Sequence, residues 1–332
     1  MNKLLPALLT LAAAPLAAET FTPANPAQVT FVVWRGCEEA CQGFTRFFSE
    51  RELPVEVTVI DVDKDADKLP GVRGEIISAS PDLVVTWGTS VSVGIIGEMS
   101  EYGTDTAIGD IPSLFMIVAD PVASDLVTGY EASGRPSVTG VRNRVPEETQ
   151  IALLQDYIRT SKVGVINSPD EPNSVINTET LMALAPEAGF EIVSLEYTLN
   201  TEGKPDPAEI PALMAQVKAE GAEVVYVGSS SFNLENTDAF TEAAIAEGLP
   251  VFTAYAQMVQ ESNGLMAMAN AYANVGKLAA SQASKILFEE QSPSELPIAA
   301  LDRYSVFINM TTAKRLGVYP PIQLINIAEI VQ

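Results

Sequence analysis

Hydrophobic positions along this chain fall into two alternating kinds of run. One kind is short, β-branched and nearly continuous in apolar character: Val29 to Trp34, Val55 to Asp61, Leu83 to Trp87 and Leu114 to Val118. Such runs fit strands of a parallel sheet that is covered on both faces. Between them lie helix-like stretches, Glu38 to Arg51, Leu69 to Ser78 and Ser90 to Met99. A compact strand, Ser137 to Val141, closes this half. The rhythm then restarts. Pro146, at a first-turn position, opens a helix to Ile158. Lys162 to Asn167 reads as a strand, and the helix after it ends near Gly189. Further strands are predicted at Phe190 to Leu195, Val224 to Val227, Val251 to Ala254 and Leu265 to Ala269, and helices at Ile210 to Glu220, Glu235 to Glu247 and Asn274 to Glu289. The alternation predicts an α/β fold of two Rossmann-like lobes. Each is a parallel sheet flanked by helices and joined by right-handed crossovers, and the two face a central cleft.

In open parallel sheets a ligand binds outside the carboxyl ends of the strands. The residues to read are therefore those after each strand: Trp34-Arg35-Gly36, Trp87-Gly88-Thr89-Ser90, Ala119-Asp120-Pro121, Asn167-Ser168, Gly228-Ser229-Ser230-Ser231, Ala254-Tyr255 and Asn270-Ala271-Tyr272. Gly88-Thr89-Ser90 has two readings. A hydroxyl before a helix is an ordinary N-cap, stabilising by roughly 1 kcal/mol. A helix N-terminus also offers unpaired N–H groups and a positive dipole end to an anion, and the place of Thr89 and Ser90 on the rim favours this second reading. Ser229 and Ser230 repeat the arrangement in the second half. Asp120 reads either as a capping turn or as an acceptor for a cationic ligand group. Trp34 and Trp87, the two tryptophans, both end strands and with Tyr255 are expected to wall the apolar part of a ligand. Asn173 and Ser174 read as helix caps. No phosphate loop of the Gly-Lys-Ser/Thr type is present.

Composition narrows the function. The chain has 332 residues, 47% of them hydrophobic, enough for two domains. Its 19 basic residues stand against 43 acidic ones, a net charge of −24. Nucleic acid is excluded as a partner, because neutralising phosphates needs clusters of Lys and Arg. Histidine is absent, which removes histidine-dependent hydrolysis and histidine-ligated zinc or haem in their usual forms. With no nucleophile–base pair either, an enzyme is not expected, and nothing in the sequence asks for a cofactor or metal. At the N-terminus Lys3, the apolar stretch Leu4 to Leu16 and Ala17-Ala18 read as a signal peptide over residues 1–18. The stretch is too short to span a bilayer. The expected mature protein is exported to the periplasm. There Cys37 and Cys41 are free to pair. On a helix, residues four apart hold their Cβ atoms roughly 5–6 Å apart, where a disulfide wants about 3.8 Å. A bond needs a distorted first turn, so a disulfide, free thiols and a redox or metal role all stay open.

Seven stretches together resemble a known family: "PDLVVTWGTS", "IPSLFMIVADPVASDLV", "SVTGVRNRVPEE", "KVGVINSPDEPNS", "GAEVVYVGSSSF", "YANVGKLAASQASKILF" and "FINMTTAKRLGVYPP". In this order they look like the ABC-transporter substrate-binding proteins that include tryptophan and tyrosine importers, on the type I periplasmic-binding-protein fold. The resemblance spans residues 27 to 320. It implies a hinged, two-lobed monomer that closes on a small molecule and hands it to an ABC permease in the inner membrane. It also implies three crossings between the lobes, dividing the chain into residues 27–143 plus 271–297 and residues 144–270 plus 298–332. One departure stands out. Relatives that bind amino acids often carry an acidic residue after the strand matching Val251 to Thr253, where this chain has Ala254-Tyr255-Ala256. That weakens the expectation of an α-amino acid as ligand. An exported sensor that reports to a membrane receptor is the alternative on the same fold.

Overall fold

The computed structural model describes residues 21–301 and 304–332; the expected signal segment lies outside them. The first half runs β1 (Ala27–Val33), α1 (Glu39–Glu50), β2 (Val55–Asp61), α2 (Leu69–Ala79), β3 (Leu83–Trp87), α3 (Thr89–Ile96), β4 (Ser113–Val118) and β5 (Val138–Arg142). The second half follows with α4 (Glu147–Tyr157), β6 (Lys162–Asn167), α5 (Pro172–Ala188), β7 (Glu191–Glu196), α6 (Ile210–Ala219), β8 (Val224–Val227), α7 (Ser231–Glu235), α8 (Thr237–Ala246), β9 (Val251–Thr253), α9 (Ala256–Gln260) and β10 (Met266–Ala269). The chain closes with α10 (Tyr272–Phe288), β11 (Ala299–Ala300), β12 (Ser305–Asn309), α11 (Met310–Leu316), α12 (Ile322–Ile325) and β13 (Glu329–Val331).

Two sheets result. The first has the order β11-β5-β4-β3-β1-β2 and the second β13-β12-β10-β9-β8-β6-β7. Every pairing is parallel except β10 with β12. Central strands are buried along their whole length, as the continuous apolar runs require. In β3 the side chains alternate. Leu83 and Val85 join a core with Phe44, Phe48 and Ala279 from α1 and α10, whereas Val84 packs with Ile76, Val91 and Ile95 from α2 and α3.

Helix α10 is the element that returns to the first sheet. It lies so close to α1 that a Cβ on Gly276 would run into the Ala40 carbonyl, and one on Gly43 into that of Ala273. The two glycines let the backbones touch. Between the sheets the chain crosses three times, after β5, after β10 and after β11. The last crossing corrects the expected boundary at residue 298, because Ala299 and Ala300 pair with Val141 and Arg142 of β5. The helix predicted to reach Met99 stops at Ile96, where Gly97 turns to φ +81°. Helices α7 and α9, five residues each, and β13, three residues, are too short to show a period in the sequence.

Candidate ligand-binding site

The carboxyl ends of both sheets face one another across a cavity of about 60 Å³. Arg35, Trp87, Gly88, Thr89 and Ala119 wall it from the first sheet, and Gly228, Ser229, Ser231, Tyr255 and Met268 from the second. The crossing segments add Asn143, Arg144, Asn270 and Tyr272. An adjoining cavity of about 230 Å³ shares Trp87, Gly88, Thr89, Asn173 and Ser231, and extends past Trp34, Ser90, Glu171 and Phe232.

In the first lobe the wall is built by a sharp strand-to-helix turn. Gly88 adopts φ +90°, which a side chain would resist. Its N–H donates to the Met116 carbonyl at 3.0 Å, and its own carbonyl accepts from the Ser92 hydroxyl at 2.8 Å. Thr89 is the first residue of α3 and caps nothing. Its hydroxyl accepts from the Ala119 N–H at 3.4 Å, tying this turn to the end of β4. The first N–H groups of α3 have no partners within the helix and carry its positive dipole end, so the turn suits an anionic group.

In the second lobe the corresponding turn is already occupied. Ser230 is the N-cap of α7, and its hydroxyl accepts from the Asn233 N–H at 3.1 Å. The Ser230 N–H donates to the Tyr255 hydroxyl at 2.9 Å. Glu171 reaches across from the start of α5 and accepts from the N–H groups of Ser231 and Phe232, both at 2.9 Å. Burial pushes its carboxyl up to about 7, against the hydrogen bonds from Ser230, Phe232 and Ser231 that favour the charged form. Ser229 remains on the cavity wall and accepts from Asn173 Nδ2 at 3.1 Å.

Arg35 bridges the two lobes. Its guanidinium lies 5.3 Å from the centroid of the Trp87 ring and pairs with Glu38 at 2.8 Å and with Glu235 of α7 at 3.2 Å. Burial opposes the charge on Arg35, but these two carboxylates more than offset it and its pKa stands above the ordinary value. Lys64 reaches the same Glu235 at 2.7 Å. The loop that carries Arg35 is braced by a disulfide between Cys37 and Cys41, with Cα atoms 5.1 Å apart. The helical spacing argument does not apply to this pair, because α1 begins at Glu39 and leaves Cys37 in the preceding loop.

Of the sequence-predicted residues, the structure brings Trp87, Thr89, Ser229 and Tyr255 together on the smaller cavity. Trp34 and Ser90 line the adjoining one. Two fall elsewhere. Ser230 turns its hydroxyl into the α7 cap. Asp120 accepts from the N–H groups of Val122 and Ala123, both at 3.0 Å, and from the Tyr130 hydroxyl at 3.3 Å, so it caps a turn. Arg35, Ser231, Asn270 and Tyr272 stood in the strand-end segments without being singled out, and Asn173 read as a cap. Asn143 and Arg144 were missed. Strand β5 read as the close of its half, although the strand-end rule applies to the residues that follow it as well.

This architecture matches known proteins. The model of the family described as ABC transporter substrate binding protein matches residues 48–331. A tyrosine-binding protein of Clostridioides difficile (strain R20291) is 23% identical over 285 residues, covering 84% of this chain and 76% of that protein. The ABC domain in complex with L-Trp from Streptococcus pneumoniae superposes with a TM-score of 0.78 at 19% identity, covering 92% of this chain and all (100%) of that one. The ligand-free, open structure of a substrate-binding protein with adhesive properties from Clostridium difficile gives 0.68 at 20% identity, covering 92% and 99%. A cleft between two mainly parallel sheets, three crossings and a family match over most of the chain lead to one assignment: this protein belongs to the ABC transporter substrate-binding protein family, on the type I periplasmic-binding fold.

Proposed function

We propose that this protein is an exported carrier that captures a small, carboxylate-bearing solute with a polar or aromatic body and delivers it to an ABC import permease in the inner membrane, working as a monomer. The observation that carries the reading is the cavity walled by strand ends of both sheets. A solute lodged there touches both lobes at once, and so favours the closed arrangement over the open one. The first turn of α3 supplies N–H groups suited to a carboxylate, and Trp87, Tyr255 and Tyr272 supply apolar walls. The relatives named for tyrosine and crystallised with L-Trp make aromatic amino acids and their analogues the first candidates.

The test is mass spectrometry of solute co-purified with the protein from the periplasm of its native host, followed by calorimetry with that solute. One carboxylate recovered at close to one per chain is the expected result. Cytoplasmic protein, or periplasmic protein with no bound solute and no affinity for a metabolite extract, would overturn the reading.

A further inference from the structure

Two of the crossing segments present buried polar atoms that the folded chain leaves without partners. Arg144 stands directly after β5, and its side chain is only 10% exposed. Its Nε lies 3.3 Å from Glu147 but off the line of a hydrogen bond, and its Nη2 has no partner. Glu147 already accepts from Asn177 Nδ2 at 3.0 Å. Beside Arg144, the Oδ1 of Asn143 is buried and unpaired. Asn270, on the second crossing, is 6% exposed. Its Nδ2 donates to the Asn143 carbonyl at 2.7 Å, which fixes the orientation of the amide and leaves its Oδ1 unpaired. All three residues line the smaller cavity. A side chain at Gly228 would collide with Arg144 Nη2, so the bare backbone there makes room for the guanidinium.

Buried polar groups are normally paired, because desolvation without a partner is costly. Here one cation with free N–H groups and two amide oxygens converge on one cavity. They ask for a molecule that presents an anion and a hydrogen-bond donor side by side. We propose that the hinge holds the head group of the cargo. Arg144 takes the carboxylate together with the first turn of α3 on the same cavity, and Asn143 and Asn270 accept from a donor on the adjacent carbon, whether amine or hydroxyl. Amide oxygens accept from either, and the described residues that wall the smaller cavity include no carboxylate to reward an ammonium charge. The inference rests on the carrier reading and deepens it. The site discriminates 2-amino and 2-hydroxy acids from acids that lack the donor, and only weakly from one another. Because the segments that read the head group also join the lobes, occupancy and hinge angle are set by the same residues.

Calorimetry on the full exported protein tests this with four kinds of probe. They are L-tryptophan and L-tyrosine, the matching 2-hydroxy acids indole-3-lactate and 4-hydroxyphenyllactate, the donor-free indole-3-propionate and 4-hydroxyphenylpropionate, and the amines tryptamine and tyramine. Amino and hydroxy acids should bind within about tenfold of one another. The donor-free acids should bind at least about tenfold more weakly, and the amines should not bind measurably. Arg144→Gln should lower acid binding by about 10- to 100-fold. Asn143→Asp keeps the shape and adds a charge, and it should tilt preference toward amino over hydroxy acids by about tenfold or more, a change that a merely structural role would not produce. If Arg144→Gln fails to fold, Arg144→Lys and Asn143→Asp decide. Folded hinge variants that bind the acids with wild-type affinity and selectivity overturn the hinge assignment and leave the carrier reading standing. Amines that bind as well as acids, or no binding by any probe, overturn the head-group assignment, while the recovered periplasmic solute tests the carrier reading independently.

Discussion

Three consecutive serines show how finely a rim is divided. Ser229 and Ser231 line the cavity, but Ser230 between them turns inward to cap α7. Ser230→Ala should therefore act on folding. Loss of a cap costs about 1 kcal/mol, and cargo affinity should change by less than about threefold. Thr89→Val should do the reverse. It removes a hydroxyl on the cavity wall whose one hydrogen bond within the described chain is the long one from Ala119, so cargo affinity should fall by about tenfold while the melting temperature shifts by a few degrees at most. Paired calorimetry and melting curves separate the two. A Ser230→Ala variant that melts like the wild type but loses cargo would return that hydroxyl to the site.

At the scale of elements, the second lobe is organised by one carboxylate. Glu171 precedes α5 yet satisfies the first N–H groups of α7, some 60 residues later, and so locks the two helix starts together. Its position makes it a pH-dependent joint. The folded value is near 7, against about 4.3 unfolded. The folded chain therefore binds this proton more tightly than the unfolded chain does. The stabilising contribution is complete below about pH 4 and is lost as pH rises toward 7, on the order of 3 kcal/mol across that window. Comparison of wild-type and Glu171→Gln melting temperatures from pH 4.5 to 7.5 should show a flatter profile in the variant. Parallel profiles would mean that the carboxyl titrates like an exposed one.

For the whole molecule, Glu235 is the point where the lobes meet electrostatically. Arg35 and Lys64 reach it from the first lobe, and its side chain is 30% exposed. Partly exposed pairs of this kind contribute about 0.2–1 kcal/mol each. Glu235→Gln should therefore weaken cargo binding by roughly three- to tenfold and raise the radius of gyration in X-ray scattering toward the open form. High salt should have the same effect on the wild type, since screening weakens these pairs. Cargo at saturation should restore the compact form in both proteins. A radius indifferent to cargo in the wild type would remove closure from the mechanism.

The two-sheet α/β design was legible in the sequence because burial is written in spacing. Strands covered on both faces need unbroken apolar runs such as Leu83 to Val85, and helices between them need a period near 3.6. The strand-end rule then located Trp87, Thr89, Ser229 and Tyr255. Which rim residues meet, and which way they point, was decided by the tertiary structure alone. Asn270 bonds to the Asn143 backbone across 127 positions, and Glu171 caps a helix of another βα unit. Whether a hydroxyl faces a ligand or caps a helix turns on a one-residue register at a helix start too short to show any period. Cys37 and Cys41 pair because the helix begins between them. Local preference and apolar periodicity act within a dozen residues, whereas the partners of a buried polar group are chosen by which distant strand ends the folded sheets bring face to face.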